Sequence, residues 1–258
     1  MGKISDALEK HGTEVQQNKV EIRSDSIITS KSSPPPSQKF RKSLKSRKTL
    51  KSDLSGYEDI LTRLRTSNPG ESIKMIMFTG AAHGGGATTT AVNFAKTLVR
   101  DNEVKVLLID ANMRTPNLRE LFNIENEQGL TDIVLNNDVK PFKVINFEPS
   151  YLFVLATGGN YVGPVGLFES ERFDTFLNNA RDEFDYIILD SAPLPSFAEA
   201  RVLCEKVDGV VLVLESGKIR RQVALRAKKE LEDAGARILG VVLNKRKYYI
   251  PEWIYKRL

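Results

Sequence analysis

The run Gly84-Gly85-Gly86-Ala87-Thr88-Thr89 follows the apolar stretch Lys74–Thr79 and opens an amphipathic one. Glycines let successive backbone N–H groups curl inward around an anion. A helix starting near Thr88 would add the positive end of its dipole. In a phosphate-binding loop, a lysine after the last glycine reaches the β- and γ-phosphates and the next hydroxyl binds Mg²⁺. Here Gly84, Gly85 and Gly86 supply a cradle and Thr88 supplies a hydroxyl, with Thr89 beside it, but the lysine position is Ala87. Taken alone, the loop fits a nucleotide enzyme, the remnant of one, or a glycine-rich turn that never held a nucleotide.

Two further apolar runs end in acids. "KVLLIDANMRTP" places Asp110 at its end, then Asn112 and Arg114, and "DYIILDSAP" ends in Asp190. A carboxylate closing a buried strand beside such a loop is positioned to hold Mg²⁺, directly or through water. Taken singly, each acid also fits a strand-end turn or a helix cap. Three such features together point to a site for a Mg²⁺-bound nucleotide. Arg114, and more remotely Lys96, are the cations nearest in sequence that could stand in for the missing lysine, and His83 lies beside the glycines.

These residues need a scaffold that gathers strand ends. The runs "KMIMFT", "KVLLID", "LFVLAT", "DYIILD", "GVVLVL" and "ILGVVLN" are continuously apolar, as expected of strands buried on both faces. Amphipathic segments at 89–99, 172–181, 197–205 and 219–234 lie between them. Repeated β–α–β units predict an α/β fold, a doubly wound and mostly parallel sheet with helices on both faces and right-handed crossovers. Ligands of such sheets bind at the carboxyl ends of the strands. "YEDILTRLRTS" puts Tyr57, Ile60, Leu61 and Leu64 on one face and predicts a helix ahead of the first strand.

The chain has 258 residues, and residues 1–52 carry twelve Lys or Arg against five Asp or Glu. Residues 1–55 are expected to form a short helix, with Ile4, Ala7 and Leu8 on one face, followed by a disordered Ser/Pro-rich basic linker. Residues 56–258 are expected to form the folded domain. The block Lys39–Lys51 contains no acid. It suits anionic lipid, an acidic partner, or plain solvation as a linker. Phe40 is its only aromatic residue, so no nucleic-acid partner is expected. The single cysteine, Cys204, and the absence of an apolar leader or spanning run predict a cytoplasmic protein.

Beyond chemistry and pattern, residues 57–244 resemble the bacterial tyrosine kinases of capsule and exopolysaccharide synthesis, relatives of the MinD and ParA P-loop ATPases. The resemblance rests on "LLIDANMRTPNLRELF", "GPVGLFESERF", "DYIILDSAP", "VDGVVLVLESGKIRR" and "ARILGVVLN". It implies a P-loop NTPase-like fold and ATP with Mg²⁺ as cofactors. It also implies transfer of the γ-phosphoryl group to tyrosines of a neighbouring copy, and a partner in the membrane-spanning regulator of polysaccharide chain length. By position, Gly84–Gly86, Ala87, Thr88 and Thr89 would line the phosphates. Thr88, Asp110 and Asp190 would serve the metal, Asp110, Asn112, Arg114 and Asp190 the catalysis, and Asn244 the adenine. Tyr248, Tyr249 and Tyr255 would form a sparse acceptor cluster.

The chain departs from the family pattern at Ala87, at Asn112 (the second acid of D-x-D), and at Asp59, Thr62 and Arg65, where E-x-x-R-x-x-R helps the family build rings. The resulting expectation is a pseudokinase in which ATP and Mg²⁺ binding is weak or lost. It would be peripheral to the inner face of the plasma membrane and would dock on the regulator, on an active paralogue or on copies of itself. An active autokinase and a MinD/ParA-like positioning ATPase are the competing readings. The latter carries a further loop lysine where this chain has Ala82.

Overall fold

The computed structural model describes residues 55–67, 72–100, 103–125, 128–136, 142–147, 150–159 and 163–245, all within the compact unit Asp53–Leu258. The expected N-terminal helix, the block Lys39–Lys51 and the three C-terminal tyrosines lie outside the described residues.

Seven strands make one sheet: β1 (Met75–Gly80), β2 (Lys105–Asp110), β3 (Lys143–Phe147), β4 (Ser150–Leu155), β5 (Tyr186–Asp190), β6 (Gly209–Glu215) and β7 (Ile238–Asn244). Their order is β3-β4-β2-β5-β1-β6-β7, parallel throughout except for β3, which runs antiparallel to β4 at one edge. The six apolar runs are therefore the six parallel strands. Their lack of alternation has a direct cause. Met75, Met77, Leu107, Ile109, Ile187, Leu189, Val210 and Leu212 face one buried layer. Ile76, Phe78, Val106, Leu108, Ile188, Val211 and Val213 face the other.

Helices α1 (Ser55–Ser67), α2 (Ala87–Arg100) and α3 (Leu118–Phe122) cover the second layer. Leu64 of α1 is buried, with Tyr57, Ile60 and Leu61 packed beside it, and the Tyr57 hydroxyl accepts from Asn93 Nδ2 of α2 at 3.2 Å. The first layer lies under α4 (Leu130–Asn136), α5 (Pro164–Phe168), α6 (Glu171–Glu183), α7 (Ala198–Cys204) and α8 (Arg221–Asp233). Among the described residues, no helix is long and apolar enough to cross a membrane. The edge strand β3 and the short helices α3, α4 and α5 are not anticipated by the sequence pattern. Helices of five to seven residues carry little periodicity, and β3 ("KVINF") leaves Val144 exposed.

At the amino end of the sheet, Asp208 accepts the backbone N–H groups of Lys74 and Met75, both at 2.8 Å. It also pairs with both terminal nitrogens of Arg181, at 3.1 and 2.7 Å. Partial burial pushes its carboxyl up, but the guanidinium and the two amides outweigh that, and its pKa lies below the usual range. A carboxyl depressed in the fold contributes stability above the unfolded pKa and loses it as the pH falls through the folded one. Asp208→Ala leaves two backbone donors and a guanidinium unpaired. We expect a loss of about 2 kcal/mol, or about 4–8 °C in melting temperature at pH 7. Melting curves from pH 7 to 3 should show that gap narrowing below about pH 4.

Candidate functional site

Strand β1 ends beneath the sheet's switch point, where β5 lies on one side and β6 on the other. The chain then turns through Ala81–Gly86 into α2. Two loop glycines take backbone conformations that side chains disfavour, Gly84 at φ 72° and Gly86 at φ 91°. At Gly86 a Cβ would also lie 2.0 Å from Asn244 Nδ2, so a side chain there would displace Asn244 as well as strain the backbone. The loop is closed from outside by the end of β7: Asn244 Nδ2 donates to the Gly85 carbonyl at 3.1 Å, and Lys245 Nζ donates to the Gly84 carbonyl at 2.6 Å. The first turn of α2 is fixed by the Thr90 N–H and hydroxyl, both on the Gly86 carbonyl. This leaves the N-terminal amides of a 14-residue helix and the Thr88 and Thr89 side chains at the loop's mouth.

Strands β2 and β5 pair in register so that Asp110 stands directly beside Asp190. Both acids are fully buried, but they are held differently. Asp110 Oδ2 accepts the N–H groups of Asn117 at 3.0 Å and Leu118 at 2.9 Å, and Oδ1 accepts that of Asn112 at 3.3 Å. Burial raises its pKa to about 6 against the pull of those three amides. Neither oxygen of Asp190 has a hydrogen-bond partner. Its pKa is pushed well above the carboxylate range by burial and then by the Asp110 charge. The Thr88 hydroxyl opposes that shift without reaching hydrogen-bond geometry.

Two bare oxygens at a glycine-rich loop, with a hydroxyl and a second carboxylate alongside, form an all-oxygen set. That chemistry suits Mg²⁺, which takes one or two carboxylates and fills its shell with water and phosphate oxygens. No cluster of three or more His, Cys, Asp or Glu among the described residues could cage a metal by itself. The two acids are thus unequal as donors: Asp190 is free to face a cation, while Asp110 is already committed to backbone amides.

The residues after β2 are also engaged. Asn112 Oδ1 accepts the Thr115 N–H at 3.2 Å and its Nδ2 donates to the Thr115 hydroxyl at 3.1 Å, closing a turn. Arg114 Nε donates to Glu199 Oε1 at 2.6 Å, and its guanidinium lies over the Phe197 ring at 5.2 Å. Glu199 is a buried acid of α7, so Arg114 neutralises it rather than standing free. His83 meets the same Phe197 ring edge-on at 5.4 Å. Lys96 lies over Phe122 at 5.6 Å, and burial lowers its pKa. Neither Arg114 nor Lys96 is an uncommitted cation at the loop. Among the described residues, Lys245 is the cation hydrogen-bonded to the loop, and no sequence motif joins it to a loop 159–161 positions earlier. Glu199 was legible in principle. It shares a helical face with Leu203 at i+4, so an acid on a core-facing stripe called for a cation.

A parallel sheet, a glycine loop running into a helix and acids at adjacent strand ends define a P-loop nucleotide-binding protein. A family model described as ParA, NUBPL iron-transfer P-loop NTPase, matches residues 72–255. The chain is 32% identical over 191 residues to tyrosine-protein kinase YwqD of Bacillus subtilis, covering 74% of this chain and 80% of that protein. It is likewise 32% identical over 190 residues to tyrosine-protein kinase CpsD of Streptococcus pneumoniae, covering 73% and 82%. A crystal structure of the chimerical protein CapA2B2 superposes with a TM-score of 0.72 at 27% identity, covering 80% of this chain and 91% of that one. The chain belongs to the bacterial tyrosine-protein kinase family, within the ParA-type P-loop NTPases.

An acid whose folded pKa is raised destabilises the fold when ionised. Between the unfolded pKa near 4 and the folded one, the native state holds more protons, and stability falls as pH rises. Asp190→Asn removes one of two adjacent buried charges. We expect the ligand-free protein to gain about 1 kcal/mol at pH 7.5, or about 2–4 °C. The gain should shrink toward pH 5, where melting curves of both proteins should approach each other.

Proposed function

We propose that this chain is a degenerate tyrosine kinase of capsule or exopolysaccharide synthesis and export. It binds Mg²⁺-nucleotide weakly, transfers phosphoryl groups poorly or not at all, and works mainly by docking. The observation that carries the reading is a division within one site. The Asp190 oxygens are buried without a partner beside the glycine cradle. Ala87 brings no charge, and Asn112 is turned onto Thr115.

In this reading Gly84–Gly86, Ala87, Thr88 and Thr89, with the N-terminal amides of α2, hold the phosphates. Thr88 and Asp190 hold Mg²⁺, and Asp110 supports that arrangement through the neighbouring strand. Asn244 lies toward the adenine. Bound Mg²⁺ would neutralise charge on the β- and γ-phosphate oxygens. Phosphoryl transfer depends on positioning and charge neutralisation, and both departures fall on those functions. A loop lysine contributes a charge-assisted bond of about 1.5–3 kcal/mol. A general base contributes about 10²–10⁴-fold in rate. Arg114 cannot replace the lysine without leaving Glu199 buried and unpaired, a costly state.

The docking partner is the membrane-spanning chain-length regulator or an active paralogue, with residues 39–51 against anionic lipid at the inner face of the plasma membrane. The family resemblance supports this. A MinD/ParA-like positioning ATPase is the weaker reading, since Ala82 stands where that class carries a lysine and the relatives above are named tyrosine kinases.

Calorimetric titration of the full chain with Mg-ATP, beside a phosphotyrosine immunoblot, tests the proposal. Wild type should bind measurably and show no phosphotyrosine. Ala87→Lys should tighten binding by about 10–100-fold, and adding Asn112→Asp should bring phosphotyrosine into view. Robust autophosphorylation of the wild type at Tyr248, Tyr249 or Tyr255 would make it an active autokinase instead.

A further inference from the structure

The cation missing from the loop has a neighbour that enters from the other end of the chain. We infer that Lys245 is a phosphate-binding residue of this site, supplying from the end of β7 the positive charge that Ala87 does not. The inference rests on the nucleotide-binding part of the reading above and names a residue for it.

The geometry makes the case. Lys245 adopts φ 55°, a left-handed backbone that non-glycine residues use sparingly. Its N–H donates to the Oδ1 of the preceding Asn244 at 2.8 Å, while Asn244 Nδ2 grips Gly85. This clamp turns the Lys245 side chain back over the loop, where Nζ meets the Gly84 carbonyl at 2.6 Å. On its other side Nζ lies 3.4 Å from Glu215 Oε2, and the Lys245 side chain is 51% exposed. An ammonium has three donors; one is taken by Gly84 and one faces Glu215 at the longer distance.

Glu215 is a replaceable partner because Lys218 Nζ also reaches its Oε2, at 3.3 Å. A phosphate entering the cradle could therefore take over the outer contact of Lys245 without leaving Glu215 alone. The other cations considered for this role are committed elsewhere, Arg114 to a buried acid and Lys96 to an aromatic ring.

The test is a double-mutant cycle on the full chain, reading Mg-ATP affinity by calorimetry for wild type, Lys245→Ala, Ala87→Lys and the double variant. Lys245→Ala should weaken binding by about tenfold or more, and Lys245→Arg should retain most of it. If Lys245 acts by charge on phosphate, Ala87→Lys should restore the Lys245→Ala protein and gain more there than in the wild-type background. The salt dependence of binding should flatten in Lys245→Ala and steepen again in the double variant. Unchanged affinity in Lys245→Ala overturns the inference and leaves the nucleotide reading standing. So does a loss that Ala87→Lys fails to repair, which would make Lys245 a brace for the loop. No Mg-ATP binding by the wild type at millimolar concentration would overturn both.

Discussion

Two carboxylates side by side at the ends of adjacent buried strands are the constraint around which the site is arranged. The register of β2 on β5 sets Asp110 against Asp190 inside an apolar sheet, where ionised oxygens are costly unless hydrogen-bonded or matched by a cation. The fold answers for Asp110 with three backbone amides from the turn after β2. It answers for Asp190 with none. The cost of ionising Asp190 there is relieved either by a proton, in line with its raised pKa, or by a counter-charge from outside the chain. The glycine loop and the Thr88 hydroxyl define the side from which it would arrive. The same arrangement gives the strand pairing a second role: it fixes how far apart the two carboxyl groups stand.

Around that pair, the replacements at Ala87 and Asn112 are local and leave the scaffold coherent. Ala87 opens α2, a place where alanine is a good helix former. Asn112 is built into the turn through Thr115, and the backbone of that same turn donates to Asp110. Substitutions that also satisfy local structure leave the scaffold in place, and the fold matches that of the related kinases with Ala87 and Asn112 at these positions.

The sequence carried the scaffold well because parallel strands buried on both faces have a distinctive signature, and all six such strands are where the apolar runs lie. The helix packed by Tyr57, Ile60, Leu61 and Leu64 was legible for the related reason that its stripe has helical period. What escaped was either short or non-local. β3 is an antiparallel edge strand with an exposed face, and α3 to α5 are too brief to show a period. The commitment of Arg114 to Glu199 joins residues 85 positions apart, and that of Lys245 to Gly84 spans 161. Local pattern cannot read such pairings, because topology rather than spacing brings them together. The sequence marked Asp110 and Asp190 as strand-end acids but could not say that one is hydrogen-bonded and the other bare.

The origin of a cation matters as much as its presence. A lysine on the loop's own helix moves with the cradle and can follow the phosphoryl group as charge shifts during transfer. A lysine on the exposed end of β7, shared between a loop carbonyl and a glutamate, would touch the phosphates from outside with a flexible stem. Such a contact would strengthen ground state and transition state alike, and uniform binding raises affinity without speeding the chemical step. If Lys245 contacts phosphate as inferred, its position fits the proposed function, a loop that holds Mg²⁺-nucleotide beside Ala87 and Asn112. Occupancy without turnover would suit a docking subunit, since a bound nucleotide orders the loop and the strand ends around it and need not be consumed for that order to persist.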